Sequence, residues 1–203
     1  MRNIFWCLVL GICLAAVGCS GMGGEWSIDG SDVVGVLMDT ELGEIRLAVD
    51  VDRAPVTSAN FLRYVDEGFY DGGQFHRTVR RDNQPNDEVQ IEVIQGSANR
   101  EKGRGYGAIE LERTSVTGLK HVDGSVSMAR GGPDTATSSF FICIGDQREL
   151  DFGGRRNGDG QGFAAFGRVT EGMDVVRKIQ ESAAEGQNLA PAIGIIQVER
   201  MKK

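Results

Sequence analysis

The strongest constraint on the fold is how short the apolar stretches of this chain are. Gln74–Arg77, Gln90–Gln95, Gly124–Met128, Phe140–Ile144 and Ala164–Val169 each span four to six residues and stop at connections rich in Gly, Asp or Asn. Runs of that length with such punctuation read as β-strands. Val33–Met38 and Glu44–Val49 alternate apolar and polar around Thr40-Glu41-Leu42-Gly43, the pattern of a hairpin, and Ile193–Glu199 reads as a last strand. Glycine makes up 29 of the 203 residues, roughly twice the average usage of about 7%. With four prolines and no repeat period, that excess points to tight turns rather than to collagen or a linker. Two segments differ. Pro55–Glu67 has Pro in its first turn, an apolar stripe at Phe61, Leu62 and Val65, and Gly68 behind it, which predicts a helix. Met173–Gln180 carries Met173, Val176 and Ile179 at helical spacing. Many short strands with two helices and no βαβ alternation predict an antiparallel barrel or sandwich capped by helices.

The first residues read as an address. Met1-Arg2-Asn3 is basic, Ile4–Val17 is almost wholly apolar, and Gly18-Cys19-Ser20 follows. Such a segment predicts a secretory signal over residues 1–18, too short to anchor stably as a membrane span. Ala16-Val17-Gly18-Cys19 resembles a bacterial lipobox, with Ala16 where Leu is usual, which would make Cys19 the acylated N-terminus. The alternative is a secreted chain cut near Gly18 or Gly21. Ser20 behind the cysteine is similar to the outer-membrane sorting choice in a host with two membranes. Gly21–Ser31 is Gly-rich and poor in core residues, so residues 19–31 read as a flexible tether and 32–203 as one domain. The expected setting is therefore exported and lipid-anchored on the periplasmic or outer side of a bacterial membrane.

Composition excludes several functions. The formal net charge is −7 and the isoelectric point near 4.9, which disfavours nucleic acid, whose binders depend on Lys and Arg contacts to phosphate. Once Cys7 and Cys13 leave with the signal and Cys19 is acylated, Cys143 is the remaining thiol, inside the apolar run Phe140–Ile144. That excludes a structural disulfide and a zinc cluster, and predicts a buried, inert side chain. Asn157-Gly158-Asp159-Gly160-Gln161-Gly162 loosely echoes a calcium loop but lacks the later bidentate Glu, so it reads as a Gly-rich turn. Gly103-Arg104-Gly105-Tyr106-Gly107 lacks the strand–turn–helix setting of a dinucleotide site. Only His76 and His121 remain, with no Ser/His/Asp pattern or metal-ligand spacing around them, and no metal or cofactor is expected. The usual equipment for covalent, metal or acid–base catalysis is missing.

Phe75-His76-Arg77, Val93-Ile94-Gln95-Gly96, Gly124-Ser125-Val126-Ser127-Met128-Ala129-Arg130 with Gly132-Pro133, and Ser138-Ser139-Phe140-Phe141-Ile142 occur in that order. So do Ala54-Pro55-Val56-Thr57 with Asn60-Phe61 before them, and Leu150-Asp151, Phe163–Val169 and Glu171-Gly172-Met173 after them. Together these resemble the cyclophilin peptidyl-prolyl cis-trans isomerases over roughly residues 33–200. The resemblance implies a mostly β fold, a closed eight-stranded antiparallel β-barrel capped by two α-helices. It also implies Arg77 as the catalytic arginine, braced by Gln95. Phe141 would floor a proline pocket with Val93 and Leu150 as walls. Phe75 of the same motif and Ser139 would also contact the substrate, and Ala129 and Arg130 match the edge along which a peptide lies.

The departures are as specific. Glu92 stands where the family has a pocket Phe, close to Arg77 in sequence, and a carboxylate turned inward would pair with that guanidinium. Ser139 replaces a Gln, and Phe163 replaces a His while keeping an aromatic wall. Glu149 replaces a Trp that favours cyclosporin, so poor drug affinity is expected. Residues 78–94 exceed the family's usual connection, with Arg80–Asp87 expected as a mobile insertion beside the pocket.

The implied chemistry suits a chain without nucleophile or proton shuttle. Rotation about a peptide bond is opposed by about 18–20 kcal/mol of resonance, while cis before Pro costs only about 0.5–1 kcal/mol. A catalyst must grip the ring and stabilise the twisted amide through preorganised polar groups, which a guanidinium fork suits. The expected partners are proline-containing segments of unfolded or partly folded polypeptides, and the expected state is a monomer. The rival is a proline-peptide binding or chaperone module on the same barrel, with catalysis blunted by Glu92 and the insertion. A third is an envelope scaffold with a vestigial pocket.

Overall fold

A computed structural model of the chain describes residues 32–103 and 105–202. The signal segment 1–18, the tether 19–31 with Cys19, and Arg104 of the Gly103–Gly107 stretch lie outside the described residues. Nine strands form one sheet: β1 (Val33–Thr40), β2 (Gly43–Asp50), β3 (Gln74–Val79), β4 (Val93–Ser97), β5 (Ser125–Met128), β6 (Phe140–Cys143), β7 (Ala164–Glu171), β8 (Ala184–Glu185) and β9 (Asn188–Arg200). Their order is β1-β2-β7-β5-β6-β4-β3-β9, and β1 pairs again with β9, closing an eight-stranded barrel in which every pairing is antiparallel. The two-residue β8 hangs on β9 outside the closed ring. The helices α1 (Pro55–Asp66) and α3 (Met173–Glu181) stand where expected, and a four-residue helix α2 (Thr114–Thr117) is added. That helix is a single turn, too short for the periodicity that marks the other two.

Local chemistry places these elements. At α1, Pro55 occupies the first turn, where a missing N–H is harmless. Ala54 has no side-chain cap to offer. The carboxylate of Glu112 accepts instead from Val56 N at 3.0 Å and Thr57 N at 2.7 Å, satisfying two orphan donors from 56 and 55 residues away. Gly68 ends the helix at φ +65°, a left-handed conformation natural to glycine.

Alternation along the strands divides the apolar residues into two clusters. Phe140, Ile142 and Ile94 point into the barrel and join Phe61, Tyr70, Phe75 and Phe166 in a packed core. Phe61 of α1 lies 5.0–5.8 Å from the rings of Tyr70, Phe140 and Phe166. The lumen is thus filled with side chains. Phe141, Cys143 and Val93, the alternate residues on the same strands, form a second small cluster with Val79, Ile91 and Leu150, against which Ala129 and Phe163 pack. Cys143 is a buried free thiol whose pKa burial pushes up, the inert state expected of it.

Candidate functional site

The site grows on the outer face of β3, β4 and β6, and one irregularity in β3 aims its central residue. Phe75 pairs with Gly96 and Arg77 pairs with Gln95, so His76 is an extra residue on β3, a β-bulge. In a regular strand Phe75 and Arg77 would share a face. The bulge separates them: Phe75 goes inward, fully buried, and Arg77 turns outward, half-buried. Phe75 is therefore not part of the pocket, although its motif suggested so. Its ring packs on Phe140 at 5.7 Å in the barrel core. Gly96 makes room for this contact, because a Cβ there would sit 2.8 Å from the Phe140 ring.

Arg77 projects into a cavity of about 360 Å³ floored by Phe141, with Val93, Ile91, Leu150 and Phe163 as apolar walls. Phe163 meets Phe141 edge-on at 5.3 Å. Gln95, Ala129 and Arg130 complete the residues foreseen from sequence. The guanidinium is held by neutral acceptors. Gln95 Oε1 accepts from Nη1 at 3.0 Å, and Gln187 Oε1 accepts from Nε at 2.9 Å and Nη2 at 2.6 Å. Burial, reinforced by the charge of Arg156, pushes the Arg77 pKa down from the ordinary arginine value while Asp87 pulls it up. An arginine stays charged through such shifts.

The feared quenching contact is not made. Glu92 accepts from Arg81 Nε at 3.1 Å and is not among the residues lining the cavity. Glu149 is likewise turned away, accepting from Arg155 N at 2.9 Å, a bond that holds its carboxyl below the usual range. Ser139 does not line the cavity either; its carbonyl accepts from Ala129 N at 2.8 Å and so fixes the neighbouring rim. Arg130 lines the slot, but its fork is already engaged. It donates to Gly162 O and, bidentately, to Asp159, whose pKa it lowers to about 2, and it lies 5.0 Å over the Phe163 ring. Its side chain is thus a clamp for the loop 157–163, which is what the Gly-rich turn became.

Besides the Gln187 contact, three features were not foreseen. The insertion is docked, not loose: residues Arg81–Asn83 form a 3-10 turn, and Gln84, 2% exposed, exchanges hydrogen bonds with Ile91 N and O and with Arg80 O. Beyond it, Asp87 reaches Arg156 of the facing loop at 2.9 Å, and both line the cavity with Asn157. Finally, His121 does have a carboxylate context. Its Nδ1 lies 2.8 Å from Asp151 Oδ1 and its Nε2 2.9 Å from Ser127 Oγ, residues on three separate segments that no spacing rule connects. Ser127 and His121 are fully buried, so this chain serves no substrate. It backs the pocket floor: the imidazole lies nearly parallel to Phe141, 14° between planes at 5.9 Å. Burial lowers the pKa of His121, leaving the ring neutral.

Residues 35–200 match the family model described as cyclophilin type peptidyl-prolyl cis-trans isomerase/CLD. Among curated relatives, the chain is 37% identical over 157 residues to peptidyl-prolyl cis-trans isomerase A of Dickeya dadantii, covering 77% of this chain and 75% of that one. It is 36% identical over 148 residues to peptidyl-prolyl cis-trans isomerase B of Escherichia coli, covering 71% and 83%. Among solved structures, a cyclophilin type peptidyl-prolyl cis-trans isomerase of Cryptosporidium parvum superposes with a TM-score of 0.68 at 21% identity, over 85% of this chain and 99% of that one.

Proposed function

Because the chain belongs to the cyclophilin-type peptidyl-prolyl cis-trans isomerases and is an enzyme of that kind, we propose that Arg77 is its electrostatic catalyst, acting on Xaa-Pro bonds of exported or envelope polypeptides. The observation that carries this reading is a charged guanidinium, held by two neutral amides, over an apolar slot floored by Phe141. The proline ring seats on Phe141 between Val93, Leu150 and Phe163. Arg77 then donates to the carbonyl oxygen before proline and favours the twisted, de-conjugated amide over either planar form. No bond to the enzyme forms and no proton moves. A related solved structure was obtained in the presence of the dipeptide Ala-Pro, which supports a proline-containing ligand for this slot too. The pairing of Glu92 with Arg81 favours catalysis over the binding-module alternative, since the charge on Arg77 is left unneutralised by that carboxylate.

The test is proline-isomerisation kinetics on a short Xaa-Pro peptide. Arg77→Ala should lower kcat/KM by roughly 100-fold, in the range for removing one preorganised donor. Wild-type rate with Arg77→Ala, or peptide binding without any rate enhancement, would sink the assignment. Activity should also be nearly flat across about pH 6–8, where no essential group titrates. Both histidines fit this, since burial lowers the pKa of His76 as well as His121. A bell-shaped profile would point to a general acid or base.

A further inference from the structure

Arg77 carries five N–H donors, and three of its hydrogen bonds go to side chains of this chain. Two of those three end on one atom, Gln187 Oε1, in the turn between β8 and β9. The geometry points to Gln187 as the positioning residue of the catalytic arginine, with Asn83 of the insertion orienting the Gln187 amide. This deepens the isomerase reading of the slot and rests on it.

The chain of contacts runs outward from the guanidinium. Oε1 of Gln187 faces Arg77, and its Nε2 donates to Asn83 O at 3.2 Å, so the amide is oriented at both ends. Asn83 in turn donates from Nδ2 to Gly186 O at 3.1 Å and Thr78 O at 3.0 Å, and its Oδ1 accepts from Arg80 N at 2.8 Å. The insertion thus staples the 186–187 turn onto β3, and Gln187 O accepts from Thr78 N at 2.9 Å. A guanidinium chelated through Nε and Nη2 cannot swing about its last side-chain torsion. Its two uncommitted N–H groups keep one direction.

The acceptor is also of the right charge. A carboxylate in the same place would orient the arginine equally well but would cancel the positive charge on which the chemistry depends. Two neutral amides, Gln95 and Gln187, orient without cancelling. Asn83 and Gln187 lie 104 residues apart, so no local pattern announces the arrangement.

Three variants of the full chain test it: Gln187→Ala, Gln187→Glu and Asn83→Ala. The readouts are kcat/KM on a short Xaa-Pro peptide, the peptide Kd, and the solvent-exchange rate of Arg77 Nε–H by NMR. Gln187→Ala should lose kcat/KM by roughly tenfold, as expected for a misplaced catalytic group, with Kd within twofold and the Nε–H exchanging faster. Asn83→Ala should shift the same two quantities in the same direction by less. Gln187→Glu, nearly isosteric though without the Nε2 donor to Asn83 O, should keep the Nε–H protected through its carboxylate yet still lose kcat/KM. That split separates charge from placement, and a purely structural role would not produce it. Full activity in Gln187→Ala with an unchanged exchange rate would overturn the proposal, as would a fully active Gln187→Glu. A wild-type chain without turnover would defeat the isomerase reading instead. The exchange rates would still report whether Gln187 holds Arg77.

Discussion

Arg77 is surrounded by residues whose value lies in what they leave undone. Glu92 is occupied by Arg81, Asp87 by Arg156 and Asp159 by Arg130, so each carboxylate near the slot has another cation to answer to. His121 shows the same economy underneath. Folding buries it and lowers its pKa, so between its folded value and the unfolded value of about 6.5 the unfolded chain binds a proton that the folded chain refuses. Its contribution to stability is complete above about pH 6.5 and declines as pH falls below that value. The urea midpoint should therefore drop between about pH 7 and 5, and His121→Gln, less stable overall, should lose most of that slope. A midpoint independent of pH in the wild type would contradict the neutral, buried ring. His76, only half-buried and shifted in the same direction, adds a smaller part of the same trend.

At the level of elements, sequence patterns were legible where periodicity is strong and silent where distant segments meet. The hairpin β1–β2 and the helices α1 and α3 could be read directly, whereas the alternation that sends Phe140 inward and Phe141 outward shows only in the folded strand. The bulge at His76 could not, because one extra residue changes no composition yet reverses the face of everything after it; that is why Phe75 was assigned to the pocket and lies in the core. The motif Phe75-His76-Arg77 singled out an arginine that lines the slot, without showing how it is aimed. Gln187, Asp87 and Arg156 went unnoticed for a different reason: their partners come from loops, whose meeting depends on tertiary structure alone. The docked insertion makes a concrete forecast. Gln84→Ala removes three hydrogen bonds and leaves the buried Ile91 N–H unpaired, so it should cost about 1–3 kcal/mol in urea unfolding. It should also loosen the Asp87–Arg156 bridge, seen as faster amide exchange across residues 81–90. Unchanged stability would mean that the insertion is held elsewhere.

For the molecule as a whole, the barrel and the site are separate pieces of construction. One cluster fills the lumen and supports the fold, while the other lies against the outer wall and shapes the slot. We propose the amino-terminal segment as a lipoprotein address, and the test of that proposal is chemical. Labelled palmitate should enter the full chain expressed in a bacterial host and be lost in Cys19→Ala. Incorporation that survives that change would reject Cys19 as the acylated residue.

Because the lumen is solid and the slot faces outward, a client need not be threaded through anything. A proline far from either end of a long polypeptide can be gripped, turned and released while the rest of that polypeptide trails free on both sides. The architecture of the slot thus sets no requirement for a loose end.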